Sequence, residues 1–574
     1  MASENKIKYH VSFENAKNHY ANISIKMACN KGQNITVKMP VWTPGSYKIR
    51  EFSQHVDKAV SIVDEQRTKP KRIDKNTWQI KAETDEVFFH YQLYAAEIAA
   101  RVSYVDQFMA FLHGASAFVY FEGFENLPIE ISFDMPFSWE NIEMALPKKE
   151  PNGTTFLCEN YDLLVDSPVA LGNFDISEFD TFGVPHKIVM IGEGNYNLET
   201  VTNDIKKICD TETAMFGGKH PSERYIHFIQ NIDNGGGGLE HLNCQTSQIT
   251  RWAYSNPDKY RTFLALVSHE YFHLWNVKRI RPIELGPFDY GRENYTEMLW
   301  IVEGVTSYFD DLFLIRSGFH TTETYFAALA SNINRLESQA GRNVMTLNES
   351  SKLAWIKAYL PNENSNNTSI SYYNKGMLVA WFLDFEIMKN TNGRKRLDHV
   401  MQTLMNEFYE KQNRGFTFDE FKNVVNQIGE NDYTSFFNRF VFETGSFPYA
   451  EYLSLAGVQL KNITENKPEF GTTSSSENGK IIIKTVKTNS AAANAGICAN
   501  DEIIAINNWR ASGSLQEIID RYRIGSTINV LINRDGKLHH LEATLLENAD
   551  MKYAISINEQ ATNEQKHFLK NWLS

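Results

Sequence analysis

Apolar and polar residues alternate through roughly the first 170 positions, as in His10-Val11-Ser12-Phe13 and Val87-Phe88-Phe89-His90-Tyr91-Gln92-Leu93-Tyr94. Turn signals such as Thr43-Pro44-Gly45 and Pro151-Asn152-Gly153 separate these runs, which predicts a β-sandwich with no chemistry of its own. The period then lengthens. Glu199–Ile208, Tyr260–Trp275, Thr296–Phe309 and Met377–Leu383 carry helical patterns, with a strand at Tyr225–Ile229. Beyond a Ser-rich loop at Gly471–Gly479, Lys480–Val486 reads as a strand, and Thr562–Leu573 as a short amphipathic helix that docks back on the body. The expected division is 1–172 (β domain), 173–448 (mainly helical domain), 449–548 (small mixed domain) and 549–574 (tail with a helix).

The apolar run at Tyr260–Trp275, read as a buried helix, contains His269-Glu270-Tyr271-Phe272-His273. Histidines four apart on a helix project from one face, so both imidazoles can reach a single Zn²⁺ at roughly 2.0–2.1 Å, with Glu270 beside them as general base. The flanking Phe263, Leu264, Val267 and Trp275 supply the rigid, water-poor wall that a hydrolytic site needs. Two histidines leave room for a third protein ligand and a water. Thr296–Phe309 places two acids in a mostly apolar helical pattern, and a carboxylate facing a core needs a partner such as a metal. Glu303 is the preferred third ligand. Glu297 is the competitor, but it stands near the start of the pattern, where an acid simply favours the helix N-terminus.

Together, His269–Pro282 (HEYFHLWNVKRIRP), the LWIVEG-x-TSY segment around Glu303, Gly235-Gly236-Gly237-Gly238-Leu239-Glu240-His241 and the amino-terminal Trp42-Thr43-Pro44-Gly45-Ser46-Tyr47 resemble the glycyl aminopeptidase family of gluzincin zinc peptidases. The resemblance runs over nearly the whole chain and implies a thermolysin-like catalytic domain whose zinc is held by two histidines and a glutamate. It also gives the glycine run a meaning, because related aminopeptidases carry a G-x-M-E-N strand whose glutamate holds the substrate's α-amine. Glu240 occupies the matching place, with Gly236, Gly237 and Gly238 as the edge along which substrate backbone would lie; His241 replaces the Asn. Tyr373-Asn374-Lys375-Gly376 matches the Y-x-K-G in which related enzymes place an oxyanion donor, making Tyr373 the candidate and Tyr372 its neighbouring alternative. Ser490–Ile497 and Asn500–Asn507 resemble PDZ signatures, with Asn500 where that pattern has Gly. A peptide or a segment of this chain is therefore a possible ligand of the 449–548 domain.

The implied fold is multidomain α+β: an N-terminal β-sandwich, a thermolysin-like mainly helical catalytic domain and a C-terminal PDZ-like domain. The implied reaction is hydrolysis of the first peptide bond of peptides with a free, small amino-terminal residue, Gly and then Ala, using one Zn²⁺. A zinc endopeptidase in which Glu240 does not bind amines shares every catalytic residue with this reading. A PDZ-type adaptor with a degenerate peptidase site is disfavoured by the intact His269, Glu270, His273, Glu303 and Tyr373. Lys278, Arg279 and Arg281 are expected to complement a helix C-terminus and pair with acids such as Glu284 or Asp289, and Asn276 is a candidate to orient a ligand histidine.

Composition narrows the classes further. A net charge of −13 with no basic stripe argues against nucleic acid as a partner. Five cysteines without CxxC spacing indicate free thiols, with Cys244 a buried structural one. The start Met1–Tyr9 lacks an apolar leader core, and no stretch approaches a membrane span, so the chain as written reads as cytoplasmic. A trimmed leader would make it periplasmic or secreted.

Overall fold

A computed structural model describes residues 6–63, 66–548 and 550–574; the Met1-to-Asn5 start lies outside the described residues. The chain divides into two compact units, Met1–Thr296 with Arg316–Phe319 and Met401–Phe418, and Glu297–Ile315 with His320–Val400 and Asp419–Ser574.

In the first unit, alternation becomes sheet. Tyr20–Ala28 and Glu86–Tyr94 bury every second side chain and pair antiparallel from Tyr20↔Tyr94 to Ala28↔Glu86. They form the centre of a seven-stranded sheet, and two four-stranded sheets complete the β-rich N-terminal region. Its core is continuous from Ile7 to Leu171 and includes Tyr9, Ile23, Phe89, Tyr91 and Phe118. A second, five-stranded sheet follows, built on β1 (Val184–Ile191), β2 (Tyr225–Ile232), β3 (Gly238–Glu240) and β4 (Cys244–Thr250). β1, β2 and β4 run parallel, while β3 is the antiparallel edge, with Gly238↔Ser247 and Glu240↔Gln245 in register. Helices α1 (Leu198–Met215) and α2 (Pro257–Phe272) belong to the same unit, and the described residues contain no helix long and apolar enough to cross a membrane.

In the second unit, the apolar pattern beginning at Thr296 is not one regular helix. Trp300–Gly304 forms a wide π-type turn that leads into α3 (Val305–Arg316), and such turns often mark sites where a side chain must be redirected. α4 (Tyr372–Asn390) packs directly on this turn. The approach is close because both helices present glycine: a Cβ added at Gly304 would lie 2.6 Å from the Gly376 Cα. The C-terminal helix α5 (Asn563–Leu573) opens with a Thr562–Gln565 capping box. It buries Trp572 completely, with its Nε1–H donating to the Tyr308 hydroxyl at 3.1 Å. The expected docking of the tail is thus present. Between these parts lies a six-stranded sheet whose core includes Ile481, Ile483, Ile503 and Val530. Gly496 ends its first helix at φ +83°, and Asn500 takes φ +72°. Asparagine tolerates this left-handed conformation, which explains how it stands where the PDZ pattern has glycine.

Gly304→Ala should overpack the Gly304–Gly376 contact and destabilise the protein by about 1–3 kcal/mol, read as a lowered urea midpoint at unchanged m-value. An unchanged midpoint would mean that the two helices separate freely.

Candidate active site

α2 starts at an Asn256 cap, whose side-chain oxygen accepts from the backbone N–H groups of Asp258 and Lys259, and runs to Phe272, with His273 as its C-cap. His269 and His273 stand one turn apart, their rings 4.7 Å between centroids and nearly perpendicular. The His273 Nδ1–H donates to the Asn276 carbonyl at 2.5 Å, which fixes the tautomer and leaves Nε2 carrying the lone pair a metal needs. Asn276 thus meets the His273 ring through its backbone carbonyl. This donor set fits a zinc ion.

Behind the helix, Tyr271 is the hub of a buried network. Its hydroxyl lies 3.0 Å from His186 Nε2 and 3.2 Å from the Thr213 hydroxyl. Next to it, His227 meets Gln245 Nε2 at 2.7 Å and the Cys209 thiol at 3.7 Å. Burial pushes His186 down to about 4 and His220 to about 3, and drives His227 well below its ordinary value, so all three are neutral imidazoles at pH 7. His186, Cys209 and His227 hold donor atoms within 4.8 Å of one another, engaged in these hydrogen bonds.

On the other side, Glu240, Glu270 and His273 have donor atoms within 4.8 Å of one another, all buried. Two glycines make room for these carboxylates. A Cβ on Gly238 would collide with the Glu270 carboxylate, and one on Gly45, at φ +82°, would lie 2.5 Å from Glu240 Oε1. Gly238 is a member of strand β3, whereas Gly236 and Gly237 sit in the exposed loop before it, with Gly237 at φ +81° and its carbonyl accepting from Gln248 N–H. Glu240 Oε1 has no hydrogen-bond partner among the described residues, although Glu240 is only 3 % exposed. It lines a cavity of about 430 Å³ together with Trp42, Gly45, Tyr47, Asp166 and Lys278.

Two expectations change. The alternating pattern of the β-rich N-terminal region implies no chemistry there, yet its Gly45 and Asp166 lie in the surroundings of Glu240. The basic cluster does not pair with Glu284 or Asp289. Instead, Lys278 binds Asp166 at 2.8 Å, Arg279 donates to the carbonyls of Leu242, Leu274 and Pro221, and Arg281 donates to the Leu285 carbonyl. These partners are distant in sequence or are backbone, which residue spacing does not reveal. His241, in the place of the related Asn, bonds Asp166 at 3.1 Å.

Glu303, Glu297, Tyr372 and Tyr373 belong to the second unit. Glu303 lies in the π-type turn and is 1 % exposed, whereas Glu297 is half exposed and pairs with Lys352 at 2.7 Å. Tyr373 is partly exposed in the first turn of α4, while Tyr372, its ring 4.7 Å away, is fully buried. Cys244 is a fully buried free thiol.

The M61 glycyl aminopeptidase profile matches residues 262–379, the M61 N-terminal domain profile 8–173 and a PDZ profile 456–545. A crystal structure described as an aminopeptidase N family protein from Idiomarina loihiensis is 32% identical, superposes with a TM-score of 0.93 and aligns over 99% of this chain and 100% of its own. The chain belongs to the M61 glycyl aminopeptidase family. It is a metallo-aminopeptidase with an N-terminal β-rich region, a helical middle and a C-terminal PDZ domain. Two structures of yeast LTA4 hydrolase, one with bestatin and one native, align at 14% and 12% identity over 79% and 78% of this chain and 71% and 68% of theirs. Their TM-scores of 0.44 and 0.45 are too low to carry an argument. No curated protein matches.

The neutral buried histidines make this M61 chain acid-sensitive. An unfolded histidine titrates near 6.5, so their contribution is complete above that pH and is lost as pH falls toward 4 for His186 and 3 for His220. Unfolding free energy should fall below pH 6.5 by up to about 1.4 kcal/mol per pH unit per histidine, and His186→Gln should flatten the slope by one proton. Urea titrations from pH 5 to 7.5 check this; a flat profile would contradict neutral burial.

Proposed function

We propose that the protein is a zinc aminopeptidase that hydrolyses the first bond of peptides with a free, small amino-terminal residue, Gly and then Ala. The observation that carries this reading is the buried Glu240 carboxylate, with one oxygen lacking a hydrogen-bond partner among the described residues, beside Glu270 and His273. An acceptor buried without a donor is costly, and a substrate ammonium would satisfy it. Close by, Gly238 lets substrate backbone lie against β3.

His269, His273 and Glu303 are the proposed ligands, a donor set of the kind and number that one zinc ion takes alongside a water. Support for Glu303 over Glu297 is its burial and the surface pairing of Glu297 with Lys352. A bound zinc ion would supply Lewis-acid polarisation of the scissile carbonyl and a water of lowered pKa. Glu270 takes the proton of the attacking water and returns it to the leaving amine. Glu240 counts off one residue by pairing with the α-ammonium, and the Tyr373 hydroxyl donates to the developing oxyanion. The partly exposed position of Tyr373, against the buried Tyr372, favours it for that role. The PDZ domain is proposed to take a peptide or a segment of this chain.

The zinc-loaded protein should contain one zinc per chain and release Gly from Gly-initiated peptides faster than Ala, and Ala faster than Leu. Chelator should abolish turnover, and Glu270→Gln should lower it about 10²–10⁴-fold. Acetylating the amino terminus should stop cleavage. Internal cleavage of acetylated peptides would instead establish the endopeptidase.

A further inference from the structure

Glu240 is followed in the chain by two residues tied to one carboxylate. Asp166 Oδ1 receives His241 Nδ1 at 3.1 Å and Lys278 Nζ at 2.8 Å, and Oδ2 receives the Leu242 backbone N–H at 2.7 Å. On the entry side of β3, Arg101 Nη2 donates to the Gly238 carbonyl at 2.6 Å. The strand that carries Glu240 is therefore held before and after it.

Lys278 is the feature that needs an explanation. Its side chain is 8% exposed and lines the same cavity as Glu240, and the Glu240 charge acts on it. An ammonium so placed is a built-in mimic of the substrate's amine. If it paired with Glu240, it would occupy the position the substrate needs. In the structure it gives its hydrogen bond to Asp166 instead. Burial alone would raise the Asp166 carboxyl, but the Lys278 ammonium and the His241 hydrogen bond outweigh it and hold the group down at about 2. Asp166 is thus ionised at neutral pH.

We propose that Asp166 is a positioning residue for the amine subsite: by binding Lys278 it keeps that internal cation off Glu240, leaving the Glu240 carboxylate for a substrate ammonium. The inference rests on Glu240 as amine anchor. It extends that reading by making the subsite's selectivity for a free amine depend on an internal charge pair.

The test is steady-state kinetics of the zinc-loaded full chain on Gly-initiated peptides, with Asp166→Asn, Lys278→Met, the double variant and Glu240→Gln. Asp166→Asn keeps an acceptor for Leu242 N–H but releases Lys278, and KM should rise about 10–100-fold with kcat changed less than about threefold. Removing the freed cation as well should rescue binding, so the double variant should return KM to within about threefold of the parent. Lys278→Met alone should leave KM unchanged or lower it, and this arm stands even if Asp166→Asn does not fold. A merely structural Asp166 would give no rescue. An unchanged KM in Asp166→Asn, a double variant no better than the single, or a raised KM in Lys278→Met would each overturn the proposal. Glu240→Gln separates the two levels: unchanged KM there sinks the amine anchor itself, whereas a raised KM there with an unaffected Asp166→Asn sinks only the role of Asp166.

Discussion

Two carboxylates, Glu240 and Glu270, are buried with an oxygen of each within 4.8 Å of the other and of a His273 nitrogen. Two carboxylates buried this close are an arrangement that nearby cations favour, and Lys278 lines the same cavity as Glu240. In the proposed reading, a zinc ion beside the histidines and a substrate ammonium beside Glu240 are those cations, and the same repulsion would then favour a positively charged terminus.

The rest of the first unit can be understood as holding that pair. Gly238 and Gly45 omit side chains where the carboxylates lie, and Gly45 does so from a left-handed turn that a branched residue could not adopt cheaply. Asp166 and Arg101 fix the strand from which Glu240 projects. The Tyr271 hydroxyl ties α2 to β1 through His186 and to α1 through Thr213. Rigid elements thus set each charged group, as a site that must be pre-formed requires.

How legible this was in the sequence depended on distance along the chain. His269, Glu270 and His273 are spaced by one helical turn, so their chemistry is written in five residues. Glu303 could be told from Glu297 by its position within an apolar run, although the π-type turn at Trp300–Gly304 could not be foreseen from period alone. The PDZ resemblance was readable from the local runs Ser490–Ile497 and Asn500–Asn507, and the left-handed backbone at Asn500 shows why an asparagine can stand where that pattern has glycine. Pairs made in space were not readable. Asp166 meets Lys278 across 112 positions and His241 across 75, and no local pattern joins them. The Trp42–Tyr47 segment was visible as a motif, but its role required seeing Gly45 against Glu240. Asn276 meets the His273 ring through its backbone carbonyl, a contact almost any residue there could make and so one its identity does not mark.

The end of the metal helix adds one last constraint. α2 stops at Phe272, so His269 and His273 occupy its final turn and its cap. Unsatisfied carbonyls give a helix C-terminus a partial negative charge, which favours a cation held there. The His273 imidazole converts this local preference into direction, because the Asn276 carbonyl takes its Nδ1 proton and adds electron density to the ring. In the proposed zinc site the helix would therefore favour the cation twice, once through its dipole and once through the chain that leaves it. Its ending at Phe272, with His273 as the cap, would then belong to the site as much as the histidines do.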